Sequence, residues 1–288
     1  MDPLSFESAP RRCVLALAVL VIAAAGAACD AAPAWEPSDA APCADLRAVQ
    51  ADDAAGVHTP LDVLLRAHVR RGAVRYDCLE RDAALLDGYL DTLGGAAVER
   101  LAPEERLALW INAYNAFTLK LILEHFPDIE SIKDIPSGER WKAVRWDVGG
   151  TLYSLDGIEH EILRPEFEEP RIHFAIVCAA KSCPDLRAEA FVGSRLDEQL
   201  DDAARTFLQD PAKGARTELV KSWLFGKTPV LHVSRILSWF GSDFTRGGRS
   251  VADFVEPFLT DEDRAFVARH RDELKVKHLD YDWTLNGR

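Results

Sequence analysis

A long apolar segment in the first half of the chain constrains the fold more than any other feature. It reads LALWINAYNAFTLKLIL and covers residues 107–123. Pro103-Glu104-Glu105 precede it, and a proline in the first turn followed by acidic residues is typical of a helix start. We predict one helix from Pro103 to about Phe126. Since apolar residues occur all around its axis, this helix is expected to be buried on most sides.

Two asparagines interrupt the apolar surface of this helix. Asn112 and Asn115 are three residues apart and therefore share a face. A buried amide costs a few kcal/mol unless its hydrogen bonds are satisfied. Two interpretations are open: the amides clamp backbone groups of a neighbouring loop, or they contact a substrate or an oxyanion.

The remaining patterns predict helices first and short strands later. Residues 61–71 and 79–93 have apolar residues at helical spacing. Gly149-Gly150 separates two short segments and predicts a hairpin. The run IHFAIVC, residues 172–178, predicts a buried strand. Further predicted elements are a short helix ending at residue 164, helices over residues 196–208, 251–259 and 261–270, and strands over residues 218–221 and 230–233. The sequence therefore predicts an α+β fold, with N-terminal helices packed on a small, mainly antiparallel sheet.

Composition excludes one class of partner. The chain has 288 residues, 48% of them hydrophobic, and a formal net charge of −13. Its length and apolar content are sufficient for a sizeable core. Because nucleic-acid affinity depends largely on Lys and Arg contacts to phosphate, a chain this acidic is not expected to bind nucleic acid.

The N-terminus predicts where the protein is located. Residues 13–29, CVLALAVLVIAAAGAAC, carry no charge and follow two arginines. This pattern is typical of a secretory signal, and the stretch is shorter than the roughly 20 apolar residues of a spanning helix. Ala27-Ala28-Cys29 resembles the end of a bacterial lipoprotein signal. We expect a signal peptide over residues 1–28, a lipid anchor on Cys29, and a cell-envelope location facing the periplasm or the exterior. Ordinary cleavage and an uncleaved anchor are the alternatives.

Two regions follow the signal. Residues 29–57 are rich in Ala, Pro and Asp and predict a flexible tether. Residues 58–288 contain no internal repeat and predict a single α+β domain.

Four cysteines remain once the signal and the lipid anchor are set aside: Cys43, Cys78, Cys178 and Cys183. The predicted compartment is oxidising, which permits disulfides between them. Four cysteines allow three pairings. The pairing with the least sequence separation joins Cys43 to Cys78 and Cys178 to Cys183.

The segment HFAIVCAAKSCPDL, residues 173–186, brings a histidine close to two cysteines. In a regular strand, His173 and Cys178 would lie on opposite faces, since they differ by an odd number of residues. Cys183 lies in a loop before Pro184 and is free to approach either face. Four alternatives are open: a Cys178–Cys183 disulfide, a reactive thiol activated by a histidine, a zinc site, and inert buried thiols.

A second candidate histidine lies in SLDGIEHEIL, residues 154–163. On a helix, His160 shares a face with Asp156, whose carboxylate could orient the imidazole. A solvated surface histidine is the alternative. Trp141 and Trp146 near the predicted hairpin are assigned to packing or to a groove. The motifs of serine hydrolases, zinc proteases, P-loop proteins and dinucleotide-binding proteins are absent from the sequence, so no cofactor is predicted.

Seven segments in order resemble the domain-of-unknown-function family numbered 547. They are LALWINAYNAFTLKLIL, SIKDI, VGGTLYSLDGIEHEILR, EPRIHFAIVCAAKSCPDL, LDEQLDDAARTFL, VSRILSWFGSDF and YDWTLN. The resemblance implies a secreted or lipid-anchored bacterial protein of one α+β domain, distantly similar to papain-like and transglutaminase-like thiol enzymes. In those enzymes a Cys begins a central helix, whereas the long helix here has none. The family's characteristic polar positions fall on Asn112, Asn115, His160, His173, Cys178, Cys183 and Asp185.

These observations support three functional hypotheses. The first is an envelope thiol enzyme acting on peptide-like or cell-wall-like material, with Cys178 or Cys183 as nucleophile and His160 or His173 as base. Its substrate-binding residues would be Asn112, Asn115 and Asp185. The second is a non-catalytic binding module with a structural Cys178–Cys183 disulfide. The third is a small metal site formed by the two histidines and the cysteines, although no metal is expected from the cysteine spacing. The sequence leaves open whether the chain is an enzyme.

Overall fold

The computed structural model describes residues 42–222 and 226–287. The predicted signal peptide, residues 1–28, and the predicted lipidation at Cys29 lie outside the described residues. The described part of the predicted tether, residues 42–57, contains a disulfide cysteine, Cys43, and a short 3-10 helix, Leu46–Ala48.

Helices make up most of the described fold. The α-helices are α1 (Thr59–His68), α2 (Tyr76–Arg81), α3 (Ala83–Gly94), α4 (Pro103–Leu123), α5 (Ser137–Arg140), α6 (Leu155–Gly157), α7 (Arg164–Phe167), α8 (Leu196–Leu208), α9 (Ile236–Trp239), α10 (Gly241–Phe244), α11 (Val251–Val255) and α12 (Asp261–His270). A π-helical turn, Ile158–Leu163, joins α6 to α7. Further 3-10 helices cover Asp53–His58, Val98–Arg100, Ile132–Asp134, Pro170–Phe174, Gly193–Arg195, Arg246–Gly248 and Glu256–Phe258.

The strands form three small sheets. The strands are β1 (Val69–Arg70), β2 (Ala73–Val74), β3 (Trp146–Val148), β4 (Thr151–Tyr153), β5 (Ala215–Ser222), β6 (Gly226–Val233) and β7 (Lys275–His278). β1 pairs with β2, β3 with β4 and β5 with β6, each antiparallel, and β7 adds to β6 in parallel. α3 packs against β3 and α12 against β5. The predicted α+β class is confirmed, with the strands divided among three sheets.

The predicted strand over residues 172–178 is wrong. Pro170–Phe174 is a 3-10 helix, and the backbone continues through Cys178 without regular structure. A continuous apolar run indicates burial, but it does not distinguish a strand from another buried conformation. Here the backbone groups that a partner strand would satisfy bind a side chain of α4 instead. Val177 donates its N–H to Asn115 Oδ1 at 3.0 Å, and Asn115 Nδ2 donates to the carbonyl of Ala175 at 2.9 Å.

The segment that carries His173 runs along the boundary between two hydrophobic cores. Ile172 belongs to the core built around α1, α3 and α4. Phe174 belongs to the core formed by α8, β6 and α11. His173 therefore lies where the two cores meet, a position from which a polar side chain can reach a cavity between them.

No helix among the described residues is sufficiently long and apolar to span a membrane.

Candidate functional site

A cavity of about 200 Å³ collects side chains from six separate parts of the chain. Tyr114 comes from the middle of α4, and Trp141 follows α5. The segment from α6 through the π-helical turn supplies three polar residues, and residues 173–184 supply a histidine and both nearby cysteines. The region around α9 and the C-terminal segment complete the wall. The lining residues are Tyr114, Trp141, Asp156, Glu159, His160, His173, Ile176, Cys178, Cys183, Pro184, Ile236, Trp239, Phe240, Tyr281 and Trp283.

His173 is held in this wall by a carboxylate and an aromatic ring. Its Nε2 lies 2.8 Å from Asp243 Oδ2. Its imidazole stacks on Phe240 with ring centroids 4.0 Å apart. Burial lowers the pKa of His173 to about 4, against the opposing effect of Asp243. The imidazole is therefore neutral at pH 7.

Asp243 determines the tautomer of this imidazole. Arg164 binds the carboxylate with two hydrogen bonds, from Nε at 2.7 Å and from Nη2 at 3.0 Å. Although burial alone would raise the pKa of Asp243, the bonds from Arg164 and His173 outweigh it and hold that pKa well below its usual range. An ionised carboxylate accepts hydrogen bonds only. His173 must therefore donate from Nε2, which leaves the lone pair on Nδ1.

The two cysteines of the cavity wall form a disulfide. Cys178 and Cys183 are bridged, with Cα atoms 6.2 Å apart, and Cys43 and Cys78 form the second predicted pair. The two sulfurs of the cavity have different environments. Cys183 is 3% exposed, and its Sγ accepts the backbone N–H of Cys178 at 2.9 Å and the Tyr281 hydroxyl at 3.3 Å. Cys178 is only half-buried, and its Sγ lies 3.2 Å from the Tyr281 hydroxyl oxygen.

The C-terminal segment, residues 281–286, fixes the conformation of residues 178–183, which we call the cysteine loop. Ala179 has a φ of 55°, a left-handed conformation that costs a non-glycine residue about 1 kcal/mol or more. Its carbonyl accepts the N–H of Asn286 at 3.0 Å. Two further backbone bonds follow, from Lys181 to the carbonyl of Thr284 at 2.8 Å and from Ser182 to that of Asp282 at 3.1 Å. A strained residue kept beside Cys178 by surrounding structure is typical of a functional loop.

His160 lies at the rim of the cavity. Its side chain is 38% exposed, and its Nε2 is 3.7 Å from Asp156 Oδ1, which is longer than a hydrogen bond. Arg164 Nη1 donates to His160 Nδ1 at 2.9 Å. The Nδ1 lone pair is thus occupied, and the remaining proton is on Nε2. This arrangement suits His160 as a hydrogen-bond donor better than as a base.

Glu159 is a wall residue for which the sequence analysis proposed no role. Its Oε2 accepts a hydrogen bond from the Tyr114 hydroxyl at 3.3 Å. Burial raises the pKa of Glu159 to about 7. Among the described residues, no Lys, Arg or His nitrogen forms an ion pair with this carboxylate.

The two asparagines of α4 both bind backbone. Asn112 donates from Nδ2 to the carbonyl of Phe191 at 2.8 Å and accepts its N–H at 2.9 Å. Asn115 makes the equivalent pair of bonds to Ala175 and Val177. Both side chains are buried, and neither lines the cavity. Their amide groups hold two loops in place, one of which leads from His173 to Cys178.

Asp185 lies outside the cavity, in a wider cleft of about 890 Å³. It forms an ion pair with Lys213. A Cβ at Gly72 would collide with its carboxylate, so a glycine is required at that point of close approach. Cys183 and Pro184 line both the cleft and the cavity. The cysteine loop is therefore a wall shared by the two spaces.

Sequence reasoning brought together some of these residues and missed others. It identified His160, His173, Cys178 and Cys183, which line one cavity. It missed Asp243, Arg164 and Tyr281 as partners of these groups. Asp243 and Tyr281 lie 70 and 103 residues from the groups they bind, so local spacing gives no sign of either contact. Their only signal was their place in two segments of the family resemblance, VSRILSWFGSDF and YDWTLN.

The predicted site residues do not form a compact metal cluster. In the portion of the chain that the structure describes, ligand atoms of three potential metal-binding residues converge within 4.8 Å only at Cys43, Asp77 and Cys78. Two of those three atoms are the sulfurs of a disulfide.

Comparison with known proteins gives a family match to one part of the chain. Residues 98–208 match a family described as "Protein of unknown function, DUF547", which is the family that the sequence resembles. The matched segment contains His160, His173, Cys178 and Cys183, whereas Asp243 and Tyr281 lie beyond it. No curated protein and no solved structure matches the chain.

Proposed function

We propose that the chain is a thiol enzyme of the cell envelope. The family that residues 98–208 match has no known function, so the proposal rests on the site itself. Its reaction would be acyl transfer or amide hydrolysis on peptide-like material. One observation carries the proposal: Cys178 and Cys183 share a cavity wall with His173, a neutral imidazole oriented by Asp243. A thiol, a base and a group that orients the base are the parts that nucleophilic catalysis needs.

The bridged form is the resting state in this proposal, and an external thiol opens it. The half-buried Cys178 Sγ is the accessible target, whereas Cys183 is buried. An attacking thiolate bonds to Cys178 Sγ, the bond between the two cysteines breaks, and Cys183 leaves as a thiolate. The Cys178 N–H and the Tyr281 hydroxyl already donate to that sulfur and would stabilise the anion. A second external thiolate then attacks the sulfur of the first, the two external thiols leave as a disulfide, and Cys178 is released as a thiolate.

The chemical step uses the freed Cys178. His173 Nδ1 accepts the thiol proton as the sulfur bonds to the carbonyl carbon of the substrate. The tetrahedral intermediate collapses, the carbon–nitrogen bond breaks, and the imidazolium returns the proton to the departing amine. Water, deprotonated by the same nitrogen, releases the acid from the thioester, or an amine acceptor takes the acyl group. Asp243 stays ionised throughout and stabilises the transient imidazolium.

The proposal includes a location and a partner. A lipid anchor on Cys29 would hold the domain at a membrane, facing the periplasm or the exterior. The support is the apolar run followed by Ala27-Ala28-Cys29. Peptide-like or cell-wall-like material is the expected ligand, and the cleft of about 890 Å³ beside the cysteine loop is the space that we assign to it.

Acylation by an activated ester tests the mechanism. The domain is reduced with a dithiol, freed from reductant, and incubated with p-nitrophenyl acetate at neutral pH. Intact mass and peptide mapping then locate the acetyl group. We expect one acetyl group per chain on Cys178 after reduction and none there without it. His173→Asn should slow acetylation by about 10²-fold or more, the usual contribution of a general base.

A matched control is available in His278→Asn. His278 is exposed in β7 and does not line the cavity. This variant should acetylate at the rate of the unmodified protein. Equal rates for His173→Asn and His278→Asn, or acetylation that is independent of reduction, would contradict the thiol mechanism.

A non-catalytic binding module is the second candidate. It is favoured by the bridged cysteines and by the complete use of Asn112 and Asn115 as backbone clamps. In this case reduction would expose a thiol without special reactivity, and His173→Asn would change stability but not the rate of acetylation.

A further inference from the structure

Beyond the thiol chemistry, the cavity has the composition of a cation site. We infer that it binds an alkylammonium group, such as the side-chain amine of a lysine-like residue in the ligand. The inference deepens the proposed function by naming part of its substrate. It is tested on the bridged form, in which neither cavity cysteine is a free thiol, so its outcome does not depend on the catalytic mechanism.

Aromatic faces provide the first argument. Trp239, Tyr281 and Trp283 form a contiguous cluster, with ring centroids 4.8 Å apart for Trp239–Tyr281, 4.6 Å for Tyr281–Trp283 and 5.7 Å for Trp239–Trp283. Trp239 is 48% exposed, which is unusual for so large an apolar side chain. Electron-rich ring faces attract ammonium groups, and the attraction is strongest where water is excluded.

An ammonium group already lies on one of these rings. Lys133 Nζ is 4.2 Å from the centroid of the Trp283 ring. Lys133 is not a lining residue of the cavity. The contact shows that a ring of this cluster accepts a primary ammonium group at close range.

The charge of the wall provides the second argument. Of the described residues that line the cavity, Asp156 and Glu159 are the only ones of Asp, Glu, Lys and Arg type. His173 is neutral at pH 7, since burial lowers its pKa to about 4. The wall therefore has two acidic groups and no Lys or Arg among the described residues that line it. His160 Nε2 lies 3.7 Å from Asp156 Oδ1, whereas Glu159 has no such neighbour within ion-pair distance in the described chain.

Glu159 is the carboxylate with which a bound cation would form an ion pair. Its carboxylate has one hydrogen bond, from Tyr114, and no cationic nitrogen within ion-pair distance among the described residues. Because burial raises its pKa to about 7, it is only partly ionised at neutral pH. A bound ammonium group would supply the missing partner and favour the charged carboxylate.

The volume of the cavity limits the ligand. About 200 Å³ is the room that roughly six or seven water molecules occupy, at about 30 Å³ each. An aminobutyl group fits this space, whereas a whole peptide does not. The rest of a peptide-like ligand would have to lie outside the cavity.

Binding of two matched probes to the bridged domain tests the inference. The probes are Nα-acetyl-lysine methylamide and its uncharged analogue Nα-acetyl-norleucine methylamide, with affinity followed by tryptophan fluorescence and by calorimetry at pH 8. We expect the lysine probe to bind about tenfold more tightly or better, as a desolvated cation–π contact and an ion pair imply. Glu159→Gln should remove most of this preference.

Glu161→Gln is the matched control. Glu161 lies two residues further along the π-helical turn, is exposed and does not line the cavity. It should leave the preference unchanged. Equal affinity for both probes, or equal effects of Glu159→Gln and Glu161→Gln, would overturn the inference.

The pH dependence gives a second readout. Lysine binding should strengthen as pH rises from 6 to 8, because Glu159 ionises in this range while the amine stays charged. The ionisable groups around Glu159 are Tyr114, Asp156, His160, Arg164, His173, Asp243 and Tyr281. Loss of the pH effect in Glu159→Gln would assign it to this carboxylate, and an unchanged effect would contradict the assignment. Lysine selectivity without acetylation of Cys178 would exclude the thiol mechanism and retain the amine site.

Discussion

At the scale of single residues, Asn115 determines the path of the segment between His173 and Cys178. Its amide replaces a strand partner by accepting the N–H of Val177 and donating to the carbonyl of Ala175. Two buried backbone groups thus depend on one side chain, which is buried itself. The sequence indicates that a buried amide at this position needs hydrogen-bond partners, and the structure identifies them as the backbone groups of Val177 and Ala175.

Replacing this amide should destabilise the fold. Asn115→Ala leaves the N–H of Val177 and the carbonyl of Ala175 unsatisfied, so we expect the free energy of unfolding to fall by about 2–4 kcal/mol. Urea denaturation followed by circular dichroism measures the change. Full stability combined with lost ligand binding would show that Asn115 is a ligand contact and not a clamp.

Unlike the Asn115 amide, the Glu159 carboxylate should lower the free energy of unfolding, by an amount that depends on pH. Its pKa is about 7 in the folded chain and near 4.5 in the unfolded chain. Both states hold the proton below pH 4.5. Between pH 4.5 and 7 the unfolded state loses it first, so the raised pKa lowers the stability of the folded state as pH rises.

Glu159→Gln removes this cost. The variant should match the unmodified protein at pH 4 and exceed its free energy of unfolding by about 1–3 kcal/mol at pH 8. Denaturation curves at both pH values measure the difference, with Glu161→Gln as the control. A variant that is equally stable or less stable at pH 8 would show that the carboxylate has a partner when ionised.

At the scale of elements, the sequence predicted most helices and failed at one buried segment. Helix α4 has a clear start signal, and helix α8 has a clear solvent-exposed face. The hairpin of β3 and β4 forms at the predicted Gly-Gly turn. Residues 172–178 have no such signal, since an apolar run has no period that separates one buried conformation from another. The failed strand had placed His173 and Cys178 on opposite faces, whereas both line the same cavity.

The two disulfides should contribute unequally to stability. Cys43 and Cys78 are 35 residues apart, and Cys178 and Cys183 are 5 apart. Closing the longer loop restricts the unfolded chain more, so loop entropy gives about 4 kcal/mol for the first bridge and about 2 kcal/mol for the second. Thermal unfolding of the two double Cys→Ser variants measures the order. A larger loss from the Cys178–Cys183 pair would show that the cavity loop depends on its bridge for more than loop entropy.

At the scale of the whole molecule, the site is a product of tertiary structure. The cavity lies beside the boundary of two hydrophobic cores, and its polar groups come from segments that are more than 100 residues apart. The sequence predicted four of its residues because they cluster locally or carry the family resemblance. Asp243 could not be paired with His173 from the sequence, because nothing local indicates that α10 packs against residues 170–174.

One measurement tests the central claim, that His173 activates a cysteine held in reserve as a disulfide. The domain is alkylated with iodoacetamide at pH 7, with and without prior reduction, and the label is located by peptide mapping. The account predicts no label on Cys178 or Cys183 before reduction. After reduction it predicts that Cys178 reacts faster than free cysteine, and that His173→Asn, but not His278→Asn, removes the acceleration. Label on either cysteine without reduction, or a reduced Cys178 that reacts no faster than free cysteine, would contradict it.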